Sequence, residues 1–129
     1  TVEDIGLALG QAINSALGER KGIYRYGWSI LPMDESLCQT AVDMGGRAFL
    51  IYKFPFQKRR IHNFDVDLIE EFLRALVAEA KMNLHVMYLH GKEPHHACES
   101  VFKSLARSLR MACEVDKREK GIPSSKGRL

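Results

Sequence analysis

The chain has 129 residues, 46% of them hydrophobic and 27% charged, with 19 Lys and Arg against 16 Asp and Glu for a net charge of +3. That length suits one domain with a single core, and the near balance of charge does not point to nucleic acid, although it would suit a small anionic ligand. No apolar run approaches the roughly 18 residues that span a bilayer, and three cysteines without a CxxC pair, Cys38, Cys98 and Cys113, fit reduced and mostly buried thiols in a cytoplasmic setting.

Residues 1–17 are predicted to be helical, with Ile5, Leu9, Ala12, Ile13 and Ala16 on one stripe, Glu3 and Asp4 in the first turn and Gly18 near the stop. The chain opens on Thr1 and runs straight into this pattern, which suggests an upstream part that was removed or left out. Extended segments follow at residues 23–31, 36–44 and 47–54, separated by Pro32-Met33-Asp34-Glu35 and Gly45-Gly46, as in an antiparallel meander. Residues 64–81 read as a helix with Ile69, Phe72, Leu73, Leu76, Val77 and Ala80 on its apolar face and Glu71 opposite. A strand over 83–90, a turn over 91–94 and a last helix over 95–115 complete the pattern, and the remainder has the composition of a tail.

His95-His96-Ala97-Cys98-Glu99 stands out, because spacings of three and four residues at a helix start bring both imidazoles and the carboxylate to one side. Imidazole nitrogen and carboxylate oxygen so placed suit Mn, Fe or Zn, and the partial positive charge of the helix N-terminus favours the neutral, metal-binding ring. The competing reading is a solvated helix start whose Glu99 complements the dipole. The apolar stripe of this helix runs through Cys98, Val101, Phe102, Leu105, Leu109 and Ala112, well away from the two histidines. Further ligands would have to come from Glu3, Glu71 or another subunit. His90, five residues earlier across a Gly/Pro turn, is a further candidate, against a plain strand-end histidine.

Setting Thr1-Val2-Glu3-Asp4-Ile5 on Ala97-Cys98-Glu99-Ser100-Val101 superposes Glu3 on Glu99 and continues with Leu9 on Leu105 and Ile13 on Leu109. This has the form of an internal duplication, with a chance likeness between amphipathic helices as the alternative. Lys58-Arg59-Arg60 beside Phe54, Phe56 and Phe64 admits an RNA-binding α/β module, against a solvated loop. Ser124-Ser125-Lys126-Gly127 offers the donors used for phosphate, against a disordered end.

Taken in order, Pro32-Met33-Asp34-Glu35, Gly46-Arg47, Leu84-His85, His95-His96-x-x-Glu99 with Phe102-Lys103, and Pro123-Ser124-Ser125-Lys126-Gly127 resemble imidazoleglycerol-phosphate dehydratase of histidine biosynthesis. Thr1-Val2-Glu3-Asp4 is similar to the family's first His-His-Thr-x-Glu-Asp motif, entered after its histidines. The resemblance implies an α+β fold of two similar β-sheet and helix halves, a duplication of the ribosomal S5 domain 2-like type, with the first half largely missing here. Residues 1–20 would then be the last helix of the first repeat, 21–115 the second β-β-β-α-β-α repeat, and 116–129 a phosphate-binding tail.

It also implies a large octahedral homo-oligomer, a 24-mer in the family, with active sites between subunits and two Mn2+ ions in each complete site. Position by position, Glu3, Glu71, His95, His96 and Glu99 match metal ligands, and Arg25, Arg47, Ser124 and Lys126, with Lys103 as a further candidate, match contacts to imidazole glycerol phosphate. Glu3 and Asp34 are the candidate proton-transfer groups. His90 falls at a position that varies among relatives and is dropped as a ligand. Glu93 stands where an Asn is common, which bears on the turn before the histidine pair. A metal-dependent phosphate-ester hydrolase on the same ligands is a further alternative, separated from a dehydratase by whether phosphate is released.

Overall fold

The computed structural model describes residues 1–129. Helix α1 (Val2–Leu17) leads into strands β1 (Tyr26–Met33), β2 (Ser36–Asp43) and β3 (Phe49–Lys53), then a small hairpin of β4 (Arg60–Ile61) and β5 (Phe64–Asp65). Helix α2 (Leu68–Ala80), strand β6 (Asn83–His90) and helix α3 (Pro94–Cys113) follow. The main sheet has the order β1-β2-β6-β3. β1, β2 and β6 are antiparallel neighbours, while β3 pairs in parallel with β6.

The antiparallel meander is therefore corrected. β1 and β2 form a hairpin as expected, but β6 inserts between β2 and β3. Burial explains why: Leu84 and Val86 of β6 are completely enclosed, whereas β3 is shorter and exposes Phe49 and Lys53 at its two ends, as an edge strand can. The second helix also starts later than its periodicity suggests. Phe64 and Asp65 pair with Ile61 and Arg60, and Asp67, at the N-cap, uses its carboxylate to accept the Lys58 N–H at 3.0 Å.

The core lies between one face of the sheet and helices α2 and α3, around Leu73, Leu76, Met82, Leu84, Val86 and Val101. Helix α3 lies on β1 and β2 through small residues. Ser104 and Ser108 hydroxyls bond Thr40 Oγ1 at 2.8 and 2.6 Å, and Ser29 Oγ bonds Ser104 Oγ at 2.8 Å. A Cβ at Gly27 would collide with the Ser108 carbonyl oxygen, so the strand and helix backbones approach more closely than any other residue permits. The buried face of α3 thus includes Ser100, Ser104 and Ser108, and Phe102, expected in its apolar stripe, is 39% exposed beside Phe72.

Helix α1 packs on α2 by its glycine face, not by the stripe expected for it. A Cβ at Gly10 would meet Glu79 Cβ and the Leu76 carbonyl oxygen at 2.7 Å, and Gly6 faces Phe72 and Ala75. Ile13 joins the core edge, but Ile5 is 57% and Leu9 43% exposed, and Ala12 and Ala16 are exposed too. The order of these contacts shows that α1 and α2 run parallel, with Glu3 and Glu71 at the same end of the pair. Beyond α1, the Arg20 guanidinium is buried and donates to the carbonyls of Met44, Ala80 and Lys81 and to Asn14 Oδ1.

The other face of the sheet is uncovered. Trp28, Ala41, His85 and Ile51 form one cross-strand row on it, and Trp28 is 59% exposed, with Tyr26, Ile30, Phe49 and Leu89 also exposed. Phe54 and Phe56, by contrast, are buried against Tyr88. Of the three aromatics whose interleaving with Lys58-Arg59-Arg60 suggested RNA binding, Phe54 and Phe56 belong to the core and only Phe64, 37% exposed, is left at the surface. The three cysteines are free thiols, and burial pushes Cys38 up to about 12 and Cys98 to about 11. No helix is long and apolar enough to cross a membrane.

Candidate functional site

Two clusters carry the polar residues singled out in the sequence, and they lie at opposite ends of the β1–β2 hairpin. The first is at the hairpin turn and the start of α3. Asp34, with φ 49°, and Glu35 make the tight connection between β1 and β2. Pro94 opens α3, and Glu93 caps it by accepting the His96 N–H at 2.8 Å. Glu93, which stands where an Asn is common, thus serves as the N-cap of α3.

The expected grouping of both imidazoles with Glu99 is half right. His95 Nε2 lies 3.5 Å from Glu99 Oε2, one helical turn away. His96 turns instead toward the hairpin. Its Nδ1 is 2.8 Å from Glu35 Oε2, and its Nε2 is 3.7 Å from Asp34 Oδ2. The His96 bond and the N–H groups of Glu93 and Lys92 hold the Glu35 carboxyl down to about 2. Glu35 in turn raises His96 above the ordinary imidazole range. The helix N-terminus was expected to favour a neutral ring there, but a carboxylate in direct contact outweighs half a unit of charge spread over a helical turn. Glu99 is lowered by Lys103, whose ammonium sits 2.6 Å from Oε1.

The remaining candidates do not converge on this cluster. Glu3 is exposed on the first turn of α1. Glu71 is exposed and lines a shallow cleft with Gln57, Lys58, Asp67, Glu70 and Arg74. No group of three or more His, Cys, Asp or Glu side chains in the chain closes around a point where a metal ion could sit. The donors at the start of α3 suit a divalent metal chemically but amount to part of a coordination shell. His90 Nδ1 lies 3.0 Å from the Glu35 carbonyl oxygen. Arg60 and His62 of the β4–β5 hairpin share a cleft of about 490 Å³ with His95 and His96. The sequence pattern pointed to Arg60 only as part of the Lys58-Arg59-Arg60 cluster, and not to His62.

The second cluster is at the start of β1. Arg25 makes a bidentate pair with Asp43 at 2.7 and 3.1 Å and donates to the Pro123 carbonyl at 2.9 Å. This contact, with Gly22 N–H donating to the Gly121 carbonyl at 2.9 Å, folds the tail back onto the sheet. Arg25, Arg47, Ser124 and Lys126 then line one cleft of about 590 Å³ together with Arg128. Arg47 and Lys126 face no carboxylate in an ion pair, so the cleft carries uncompensated positive charge. Lys103 is absent from it, being held on Glu99.

The family model for imidazoleglycerol-phosphate dehydratase matches residues 1–109. The chain belongs to this family. It is 48% identical over 129 residues to the imidazoleglycerol-phosphate dehydratase of Streptococcus mutans and 53% identical over 130 residues to that of Acinetobacter baylyi. Both alignments cover all of this chain but 66% and 64% of those relatives, just under two thirds of their length. The crystal structure of the Staphylococcus aureus dehydratase superposes with a TM-score of 0.86 at 36% identity, over 89% of this chain and 67% of that one. The Pyrococcus furiosus dehydratase gives the same TM-score at 30% identity, over 99% of this chain and 69% of its own. The α+β architecture expected from the resemblance is thus that of solved dehydratases.

Proposed function

We propose that this chain acts in histidine biosynthesis as part of an imidazoleglycerol-phosphate dehydratase, removing water from imidazole glycerol phosphate to leave imidazole acetol phosphate, at sites shared between copies of the chain. The observation that carries this reading is the separation of the two clusters. From Arg25 to Asp34 the extended chain spans roughly 30 Å, several times the length of a three-carbon phosphate ester. One end of the hairpin suits a phosphate and the other suits an imidazole held through metals. A single substrate meets both only if they come from different copies.

The open sheet face supports assembly. An apolar surface containing Tyr26, Trp28, Ile30 and Phe49 is unusual on a monomer, and a homo-oligomer that covers it would bring the two ends of neighbouring hairpins within reach.

Within such a site His95, His96 and Glu99 would hold Mn2+, with Glu3 and Glu71 supplying donors from a neighbouring helix pair or copy. Bound there, two Mn2+ ions would supply Lewis acidity, offsetting the negative charge that develops when an unactivated C–H loses its proton. The protein's own part is to bind, orient and move protons. Arg47, Ser124 and Lys126 would grip the phosphate, Arg25 would orient the tail through Pro123, and this remote binding energy positions the reacting carbons. Asp34, exposed and 3.7 Å from His96 Nε2, would exchange a proton with a ligand at that imidazole, with Glu3 as the alternative carboxylate. Lys103 is positioned to neutralise Glu99 until a metal does.

Mixed assemblies test the shared site. His95→Ala and Lys126→Ala should each abolish dehydration alone, while co-assembly in equal amounts should restore it at about a quarter of the sites by random pairing. No recovery on mixing would refute a site divided between copies.

A further inference from the structure

We infer that Glu35 is the positioning residue for His96, fixing the ring so that Nε2, and not Nδ1, is the nitrogen offered to a ligand. The inference deepens the metal reading above and rests on it for its functional meaning, but its structural content stands on the hydrogen bonds of one carboxylate.

Glu35 sits in the two-residue connection between β1 and β2, and both of its oxygens are engaged. Oε1 accepts the backbone N–H of Glu93 at 2.9 Å and of Lys92 at 3.2 Å, and the Ser36 hydroxyl at 3.1 Å. Oε2 faces His96 Nδ1 at 2.8 Å. The first three contacts are donors whose positions are set by the backbone and by β2, so the carboxylate cannot rotate without losing them. An ionised carboxylate only accepts. The atom facing Oε2 must therefore carry the hydrogen, which places it on Nδ1 and leaves the Nε2 lone pair free in the neutral ring. Imidazoles that bind metals through one nitrogen characteristically donate the other N–H to a carboxylate or carbonyl, which sets the tautomer and the ring plane.

The same contacts explain why a hairpin turn so far along the chain from α3 is shaped as it is. Asp34 in the left-handed region turns the chain sharply. The two turn residues then reach opposite sides of one ring, with Glu35 on Nδ1 and Asp34 beyond Nε2. The Glu35 backbone also takes part, its carbonyl meeting His90 Nδ1 at 3.0 Å. The turn clamps the junction of β6 and α3, and the histidine pair inherits its orientation from it.

Glu35→Gln is the discriminating variant. Its amide oxygen must stay on the Ser36, Lys92 and Glu93 donors, because the reverse orientation would oppose N–H to N–H. The NH2 group then faces His96 and needs an acceptor, so Nδ1 must give up its hydrogen and Nε2 take it. The shape of the turn is kept while the tautomer is inverted.

Two readouts on the assembled protein decide the matter. 15N spectra of histidine-labelled protein at a pH where the rings are neutral, with His96 assigned by a His96→Gln control, should show Nδ1–H in the wild type and Nε2–H in Glu35→Gln. Mn2+ titration should show affinity reduced about 10- to 100-fold in Glu35→Gln, with circular dichroism and assembly unchanged. Ser36→Ala, which removes a bond to the same carboxylate without touching His96, should bind Mn2+ within about twofold of wild type. A Glu35→Gln protein that keeps the Nδ1–H tautomer or full Mn2+ affinity overturns the inference. A wild type that binds no Mn2+ would overturn the metal reading instead, and the 15N spectra would still decide the role of Glu35.

Discussion

Arg20 is the clearest place to test how the fold is held. Arg20 is 4% exposed, and its guanidinium makes four hydrogen bonds, to Met44 O at 2.7 Å, Ala80 O at 2.7 Å, Lys81 O at 3.2 Å and Asn14 Oδ1 at 2.7 Å. These join the end of α1, the end of β2 and the C-terminus of α2, where a cation also complements the helix dipole. Truncation by Arg20→Ala leaves the Met44 and Ala80 carbonyls without a donor in the interior, each worth about 1–3 kcal/mol. With the lost dipole interaction, the total is roughly 3–5 kcal/mol, a large share of the ~5–15 kcal/mol that stabilises a typical domain. A fall in melting temperature of about 10–20 °C should follow. Urea unfolding of wild type, Arg20→Ala and Arg20→Lys would measure it. The lysine variant keeps the charge but not the fork, and should recover about half of the loss. A loss below about 1 kcal/mol in Arg20→Ala, with lysine no better than alanine, would show that these carbonyls find other donors and that the junction does not depend on Arg20.

Other expectations concern single groups. The Tyr52 hydroxyl is buried without a hydrogen-bond partner, so Tyr52→Phe should stabilise the protein by about 1 kcal/mol in the same assay, and a comparable loss would mean that the hydroxyl is satisfied. His96 in the metal-free protein should titrate above 6.5 by NMR, since Glu35 raises it. The stability from this pair is complete only with Glu35 ionised and His96 protonated; it fades as pH falls through about 2 and as pH rises through the raised His96 midpoint. A midpoint at or below 6.5 would contradict the contact. Trp28→Glu should leave the fold intact but shift the sedimentation profile toward smaller species, and unchanged assembly would mean that the open sheet face is not an interface.

The helical periodicity of residues 69–80, the strand over Asn83–His90 and the β1–β2 hairpin were all readable, because burial on one face writes a regular pattern of apolar residues. Strand order was not. Nothing local records that β6 lies between β2 and β3, since that is decided by which strand finds hydrogen-bonded partners along both edges. The packing face of α1 was misread, and on α3 only Phe102, since Cys98, Val101, Leu105 and Ala112 are buried as read: close backbone approach selects Gly6, Gly10, Ser104 and Ser108, which carry no hydropathy signal, over Ile5, Leu9 and Phe102. In the candidate site, helical spacing found His95 with Glu99. It missed that His96 belongs to Glu35, a residue 61 positions away that only the hairpin turn brings near. The tail's phosphate-like donors were visible, but their joining with Arg25 and Arg47 required the chain to fold back through Pro123.

The most direct test supplies imidazole glycerol phosphate to the assembled protein, with Mn2+ or after chelation, and follows product mass and free phosphate together. Dehydration predicts a product lighter by one water, with its phosphate retained, that forms with Mn2+ and is lost on chelation. Release of inorganic phosphate, or turnover indifferent to metal, would contradict the proposed reaction.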